Sequence, residues 1–332
     1  MSDQFQAILV SRDDEKKQSV EIVKLNKSDL MDGDVTIKVE ATTVNYKDGL
    51  AITGKSPVVR HWPMVPGIDL AGSVIESDSS AFSPGDKVLL NGFGVGETHW
   101  GGHAGMARLR SDWLIKLPSN ITPIQAMSVG TAGYTSMLCV MALERYGITP
   151  DQGPIIVTGA NGGVGSVAIA ILAKLGYNII ASTGRASEAQ FLKDLGANEI
   201  IDRAELSAPG RALGRERWAA GIDAVGSHTL ANLLAQTQYG GAIAACGLAQ
   251  GFDLPATVMP FILRNVALLG VDSVMAAKAL REQAWQRIGT DLDMNKLEAI
   301  TTGIAFEDII STATDIIDGK IKGRVVVDMT NL

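Results

Sequence analysis

An apolar run that breaks into glycines and then resumes as a helical pattern constrains this chain more than any other feature. Ile155-Ile156-Val157-Thr158 leads into Gly159-Ala160-Asn161-Gly162-Gly163-Val164-Gly165-Ser166. Gly162 and Gly165 fit an A-x-G-x-x-G variant of the dinucleotide fingerprint. Its missing side chains permit a tight turn, close approach of a pyrophosphate, and packing of the next helix on the strand. The flanks agree, since Val164 to Leu175 has helical spacing, Gly176 closes it, and Tyr177 to Ala181 reads as the next buried strand. A bare glycine pattern also fits a turn with only a packing role. In this context Gly159, Asn161, Gly162, Gly163 and Val164 are candidate cofactor contacts.

Which dinucleotide binds is decided at the end of that second strand, where an NAD-binding chain places Asp or Glu for the ribose hydroxyls. This chain has Ser182-Thr183-Gly184-Arg185 there. Hydroxyls and a guanidinium without a carboxylate suit a 2′-phosphate, because a cationic fork matches phosphate oxygens. NADPH is therefore the expected cofactor, with Arg203 counted in the same set. The competing reading makes Arg185 a solvated residue that only opens the following helix.

The 332 residues are long for a single core and suit two domains. A net charge of −7 without a basic block argues against nucleic acid as a partner. Only Cys139 and Cys246 are present, so neither a disulfide framework nor a cysteine-rich zinc site is expected. The N-terminus lacks the pattern of an export signal and no run of about eighteen apolar residues appears, which reads as a cytoplasmic protein without a membrane partner.

From Gln6 to about Pro118 short β-rich runs alternate with Gly, Pro and Asp turns: Ala7–Val10, Val20–Leu25, Val35–Val44, Gly72–Glu76, Lys87–Asn91, Ala104–Arg110 and Leu114–Leu117. Beyond Pro123, strands alternate with helices. Ile155–Thr158, Asn178–Ser182, Glu199–Ile201, Ile222–Val225, Ala242–Cys246 and Val266–Gly270 make six candidates for a doubly wound parallel sheet. A helical stretch near Ala276–Ile288 leads to a strand-like Lys322–Met329, which has no place in a finished nucleotide sheet and is expected to return to the first domain. The expected division is residues 1–126 with 274–332, against 127–273.

A β-rich module, a dinucleotide sheet and a return to the first module are the plan of the medium-chain dehydrogenases/reductases, which the chain resembles over essentially its whole length. Finer blocks are similar to the zinc-free acryloyl-CoA reductase branch, the YhdH-type quinone oxidoreductases. They are Asn45 to Lys55, Val65 to Gly72, His99 to Gly102, Gly130 to Thr135, and Val258 to Val266. The resemblance implies an α/β fold with a GroES-like β-domain, a Rossmann domain and an active site in the cleft between them. It further implies a homodimer, and its implied reaction is NADPH-dependent reduction of the C=C bond of acryloyl-CoA and related 2-enoyl thioesters.

Zinc members carry a Cys-rich block and a Gly-His-Glu block where this chain reads Asn45-Tyr46-Lys47-Asp48 and Gly67-Ile68-Asp69, so a metal site is not expected. Loss of a Lewis acid shifts the expectation from alcohol oxidation to reduction of a conjugated double bond. That reaction needs a hydride over Cβ, donors for the carbonyl oxygen, and a proton for Cα. Tyr46 is the candidate for the donor and proton roles, because a phenol is protonated at neutral pH. Asn45 is a second donor and Asp48 orients a neighbour; the alternative is that Asn45 and Tyr46 only hold a loop after a strand. Among the histidines, His99 and His103 flank Trp100-Gly101-Gly102 and read as structural.

Further cofactor contacts are expected at Thr131, at Cys246-Gly247-Leu248 after the fifth strand, at Ser273, and at Ile262 beside the nicotinamide. Lys55, Arg60, Arg264 and Arg324 are candidate cations for the phosphates of CoA, and Arg324 is also placed among the cofactor contacts. Two rival functions stay open: a quinone or enone reductase, and an NADPH-binding protein without turnover.

Overall fold

A computed structural model describes residues 3–332. Two compact units divide the chain, one comprising residues 1–131, 273–283 and 301–332, the other 132–272 and 284–300.

The first unit opens with an antiparallel hairpin of β1 (Gln4–Arg12) and β2 (Gln18–Asn26). Then come β3 (Val35–Thr43), α1 (Tyr46–Thr53), β4 (Asp69–Ser77), β5 (Lys87–Asn91), β6 (Met106–Leu109) and β7 (Ile115–Lys116). These strands match the short β-rich runs of the sequence. After β3, where the sequence reading placed no element, the chain forms the helix α1. Its backbone explains why: Asn45 at the N-cap donates its N–H to Asp48 Oδ2 at 2.8 Å, and Gly54 closes the helix at φ 68°.

The helix α2 (Pro123–Tyr146) is broken at Gly130, whose φ of 52° and ψ of −164° belong to glycine. A Cβ there would lie 2.3 Å from Arg324 Nη2 and 2.9 Å from Asp69 Oδ2. The chain therefore resumes its helix at Thr131 against a buried charge pair.

In the second unit, β8 (Ile155–Val157), α3 (Gly163–Lys174), β9 (Ile179–Thr183), α4 (Ala189–Leu195), β10 (Glu199–Asp202) and α5 (Ala204–Ser207) come first. They are followed by β11 (Trp218–Asp223), α6 (Ser227–Gln236), β12 (Thr237–Ala245), α7 (Met259–Arg264) and β13 (Ala267–Gly270). The six strands form one sheet in the order β10-β9-β8-β11-β12-β13, every neighbouring pair parallel. The order reverses between β8 and β11, the point where such sheets bind ligands at their carboxyl ends. The fourth strand starts four residues earlier than expected. Its first residue, Trp218, is fully buried and satisfies its indole N–H on Leu233 O at 3.1 Å.

The chain continues through α8 (Lys278–Asp291), α9 (Met294–Ile300), β14 (Thr301–Ile304), α10 (Ile309–Ile317) and β15 (Arg324–Asp328). Residues 284–300 belong to the second unit, where the sequence assigned all of 274–332 to the first. The predicted return is present: β15 pairs antiparallel with β3 and parallel with β14, giving the order β14-β15-β3-β4-β5-β7 with β6 also on β3. Val325 and Val327 join the core of the first unit with Ile37, Val39, Leu70, Leu90 and Ile309. Such burial is the main stabilising term.

Gly130→Ala should lower unfolding stability by about 3 kcal/mol or more, combining a backbone region nearly closed to side chains with displacement of the buried Arg324 guanidinium and Asp69 carboxylate from their partners. Urea unfolding followed by circular dichroism measures it; a loss below about 1 kcal/mol would contradict the role given to this break.

Candidate functional site

In the second unit the glycine turn behaves as its pattern predicts. Gly159 has φ 60° and Gly162 is the N-cap of α3. At Gly165 a Cβ would meet Gly159 O at 2.4 Å and Ala160 Cα at 2.6 Å, so this glycine lets the helix pack on the turn. The first N–H groups of α3, from Gly163 and Val164 onward, open the helix with the positive end of its dipole, which favours an anion. Asn161 is buried beside them. Its Oδ1 accepts from Thr183 Oγ1, and its Nδ2 has no partner among the described residues. A buried amide without an acceptor is costly unless a ligand supplies one.

The carboxyl end of β9 adds the cations. Ser182 and Thr183 are buried, and Arg185 N donates to Thr183 Oγ1 at 3.0 Å. Arg203 follows the end of β10, held by its N–H on Thr183 O at 2.9 Å. Its exposed side chain crosses directly over Gly184, where a Cβ would sit 2.5 Å from Arg203 Nε. Two guanidinium-bearing residues and two hydroxyls thus meet at the adjacent ends of β9 and β10, where the carboxylate of Asp202 accepts the Ala204 N–H at 2.8 Å. Across the switch point, Thr158 Oγ1 donates to Asp223 Oδ1 at 2.6 Å and Gly226 N to Asp223 Oδ2 at 2.8 Å, tying the ends of β8 and β11 together. Burial pushes the Asp223 carboxyl above the usual range. Gly247 and Leu248 follow β12, Leu248 being exposed, and Ile262 on α7 is 72% exposed.

In the first unit the expected catalytic block separates into one exposed and two buried groups. Tyr46, the first residue of α1, is 52% exposed, and its hydroxyl makes no hydrogen bond among the described residues. Asn45 is not the free donor expected from the sequence. Its Nδ2 donates to Asp69 Oδ2 at 2.8 Å and to Asp48 Oδ2 at 3.3 Å, while its Oδ1 accepts from Arg324 Nη1 at 3.1 Å. Asp48 is also buried and accepts the Ile68 N–H at 2.9 Å, so it orients backbone and cannot reach a substrate. Desolvation raises its pKa above the ordinary carboxylate value, partly offset by His103 beside it. His103 is fully buried, with Nε2 3.3 Å from Thr43 O and Nδ1 without a partner among the described residues.

The sequence missed the centre of this arrangement. Asp69, the first residue of β4, is fully buried and accepts from Asn91 Nδ2 at 2.7 Å and Thr131 N at 2.6 Å, besides Asn45. The Thr131 hydroxyl adds a fourth bond at 2.5 Å. The available signal was a lone acid within the apolar Ile68-Asp69-Leu70-Ala71 run.

Arg324, expected as a cation for the phosphates of CoA and as a cofactor contact, is instead buried: it is 4% exposed and donates to Ser128 O at 3.0 Å and Thr43 Oγ1 at 2.8 Å, as well as to Asn45. Burial works against its charge, and Asp69 and Asp48 hold it. Of the other candidate cations, Arg264 is bonded to Gly214 O and Ala235 O and paired with Glu216, and Lys55 pairs with Asp318; Arg60 is exposed. Ser273, three residues past β13, presents its carbonyl to Arg281 Nη2 at 3.2 Å. His99 is likewise occupied, on Asp32 O and Trp100 O.

The glycine turn, the orphaned Asn161 amide and the paired arginines fit an adenine dinucleotide carrying a 2′-phosphate. Gly159, Asn161, Gly162, Gly163, Val164, Ser182, Thr183, Gly184, Arg185 and Arg203 would hold it.

Comparison with known proteins agrees with both units. The alcohol dehydrogenase GroES-like domain matches residues 31–119 and the zinc-binding dehydrogenase family matches residues 163–290. The chain is 52% identical over 327 residues to the acrylyl-CoA reductase AcuI of Ruegeria pomeroyi, covering 98% of this chain and 99% of that protein. It is 50% identical over 323 residues to the probable acrylyl-CoA reductase AcuI of Escherichia coli, covering 97% and 99%. The crystal structure of the YhdH oxidoreductase from Salmonella enterica in complex with NADP superposes with a TM-score of 0.95 at 51% identity, covering 97% of this chain and 99% of that one. With such identity along nearly its entire length, the chain belongs to the acrylyl-CoA reductase family of medium-chain dehydrogenases/reductases.

Proposed function

We propose that this protein reduces the C=C bond of acryloyl-CoA to propanoyl-CoA with NADPH. The observation that carries the proposal is the match of 98% of the chain, at 52% identity, to a protein named acrylyl-CoA reductase. The geometry is in keeping with it, since the one candidate acid left exposed is an uncharged phenol and not a metal ligand set.

NADPH, held by the glycine turn of Gly162 and Gly163 and by Arg185 and Arg203, would supply the hydride for Cβ. As the double bond is reduced, electron density moves to the thioester carbonyl oxygen, which needs a donor already in place. The Tyr46 hydroxyl, which makes no hydrogen bond among the described residues, can donate to that oxygen or deliver the proton to Cα. Asn45 and Asp48 do not touch substrate and serve to hold the start of α1. The reaction is independent of zinc in this proposal, because the positions that bear metal ligands in other family members hold Asn45, Tyr46, Ile68 and Asp69.

Arg185→Ala and Arg203→Ala should each weaken NADPH about tenfold while leaving NADH unchanged, the scale of one lost charged hydrogen-bond partner. Gly184→Ala, which drives a methyl into Arg203, should reproduce part of that loss. Fluorescence titration with both nucleotides checks this; an unaltered NADPH to NADH ratio in both arginine variants contradicts the assignment.

Tyr46→Phe keeps the ring and removes the donor, so kcat for acryloyl-CoA should fall roughly 10²–10³-fold, about 2.7–4 kcal/mol, with NADPH affinity and Tm unchanged. Initial rates after exhaustive chelation, run beside a simple quinone, provide the measurement. A kcat within about threefold of the parent would remove the hydroxyl from the chemistry. Rates abolished by chelation and restored by zinc would end the metal-free proposal.

A further inference from the structure

Asp69 is too deeply buried to touch a substrate, yet both of its oxygens are occupied. Four donors from three separate segments converge on them: Asn45 at the N-cap of α1, Asn91 at the end of β5, and the backbone and hydroxyl of Thr131 where α2 resumes. The Thr131 N–H donates where the helix resumes, and a carboxylate placed on it also meets the positive end of the helix dipole. Arg324, on the other side of Asn45, completes the cluster.

Stability alone is a poor reason for such a device, because an apolar pair of similar volume holds a core at least as well as a buried ion pair. What hydrogen bonds to a carboxylate add is direction. Their directional targets here are the beginnings of two helices. One of those helices starts with Tyr46.

We propose that Asp69 is a positioning residue for the reduction: it ties the start of the Tyr46 helix to the helix resumed at Thr131 and so fixes the aim of the Tyr46 hydroxyl. This rests on the role given to Tyr46 above. Small errors in aim are expensive, since a displacement of about 1 Å can cost on the order of a hundredfold in rate.

The test avoids Asp69 itself, whose replacement would leave Arg324 buried without its counter-charge, and works through Thr131. Thr131→Val preserves shape and removes the hydroxyl bond to Asp69; Thr131→Ser keeps that bond. Both are made in the parent and in the Tyr46→Phe background, with kcat, KM for acryloyl-CoA, NADPH affinity and Tm measured for each.

Thr131→Val should lower kcat about tenfold in the parent, with NADPH affinity nearly unchanged and Tm lowered equally in both backgrounds, and by less than about twofold once Tyr46 is Phe. Thr131→Ser should retain the parental kcat. Equal losses from Thr131→Val in both backgrounds, no loss in the parent, failure of serine to rescue, or a loss confined to NADPH affinity would each overturn the proposal. The single Tyr46→Phe variant separates the two failures: if its kcat is intact the role of Tyr46 falls and this inference falls with it, whereas an impaired Tyr46→Phe with additive Thr131→Val removes the Asp69 inference alone.

Discussion

A carboxylate and a guanidinium almost without access to water, Asp69 and Arg324, organise the unit that carries Tyr46. Each would cost several kcal/mol to bury without partners, so the surrounding sequence must satisfy both at once. It does so with uncharged polar groups that bridge the pair. Asn45 donates to Asp69 and accepts from Arg324, which makes it the link between them. Gly130 keeps the space a side chain would fill, and Thr131 supplies two donors. One constraint thus accounts for Asn45, Gly130 and Thr131, three residues that the fold by itself would not dictate.

The nucleotide unit rests on a different constraint, the need to bring backbone and cation close to phosphate. Gly165 is required by close packing, Gly159 by its positive φ, and Gly184 by the arginine that lies over it. The glycines are thereby tied to three separate geometric demands. The orphaned Asn161 amide and the residues at the end of β9 mark where a ligand completes the hydrogen bonding.

Periodicity and turn chemistry made most of the fold legible in the sequence. The seven short strands of the first unit, the six of the second and the return of Val325-Val326-Val327 were read from apolar runs bounded by Gly, Pro and Asp. Helix α1 was missed because its eight residues carry no long apolar period, although Asn45, Asp48 and Gly54 are the capping pattern of a short helix. Trp218 was missed as a strand start because its charged neighbours Arg215-Glu216-Arg217 and the small residues after it do not form an apolar run. At the candidate site the residue types were legible but not their partners. Sequence shows that Asn45 can donate; only tertiary contacts show that its donors are already spent on Asp69 and Asp48. Arg324 was read as a cation for a ligand's phosphates for the same reason, since a charge is normally solvated unless something buried answers it.

The central claim is a hydride delivered to Cβ of an enoyl thioester, and isotope placement tests it most directly. Acryloyl-CoA is reduced with NADPH deuterated at the transferring position of the nicotinamide, and the product is examined by NMR and mass spectrometry. The account predicts propanoyl-CoA with the label at Cβ, and, when the reaction is run in deuterated water with unlabelled NADPH, solvent deuterium at Cα. Cofactor label at Cα, or no propanoyl-CoA while a simple quinone is reduced efficiently, would contradict it.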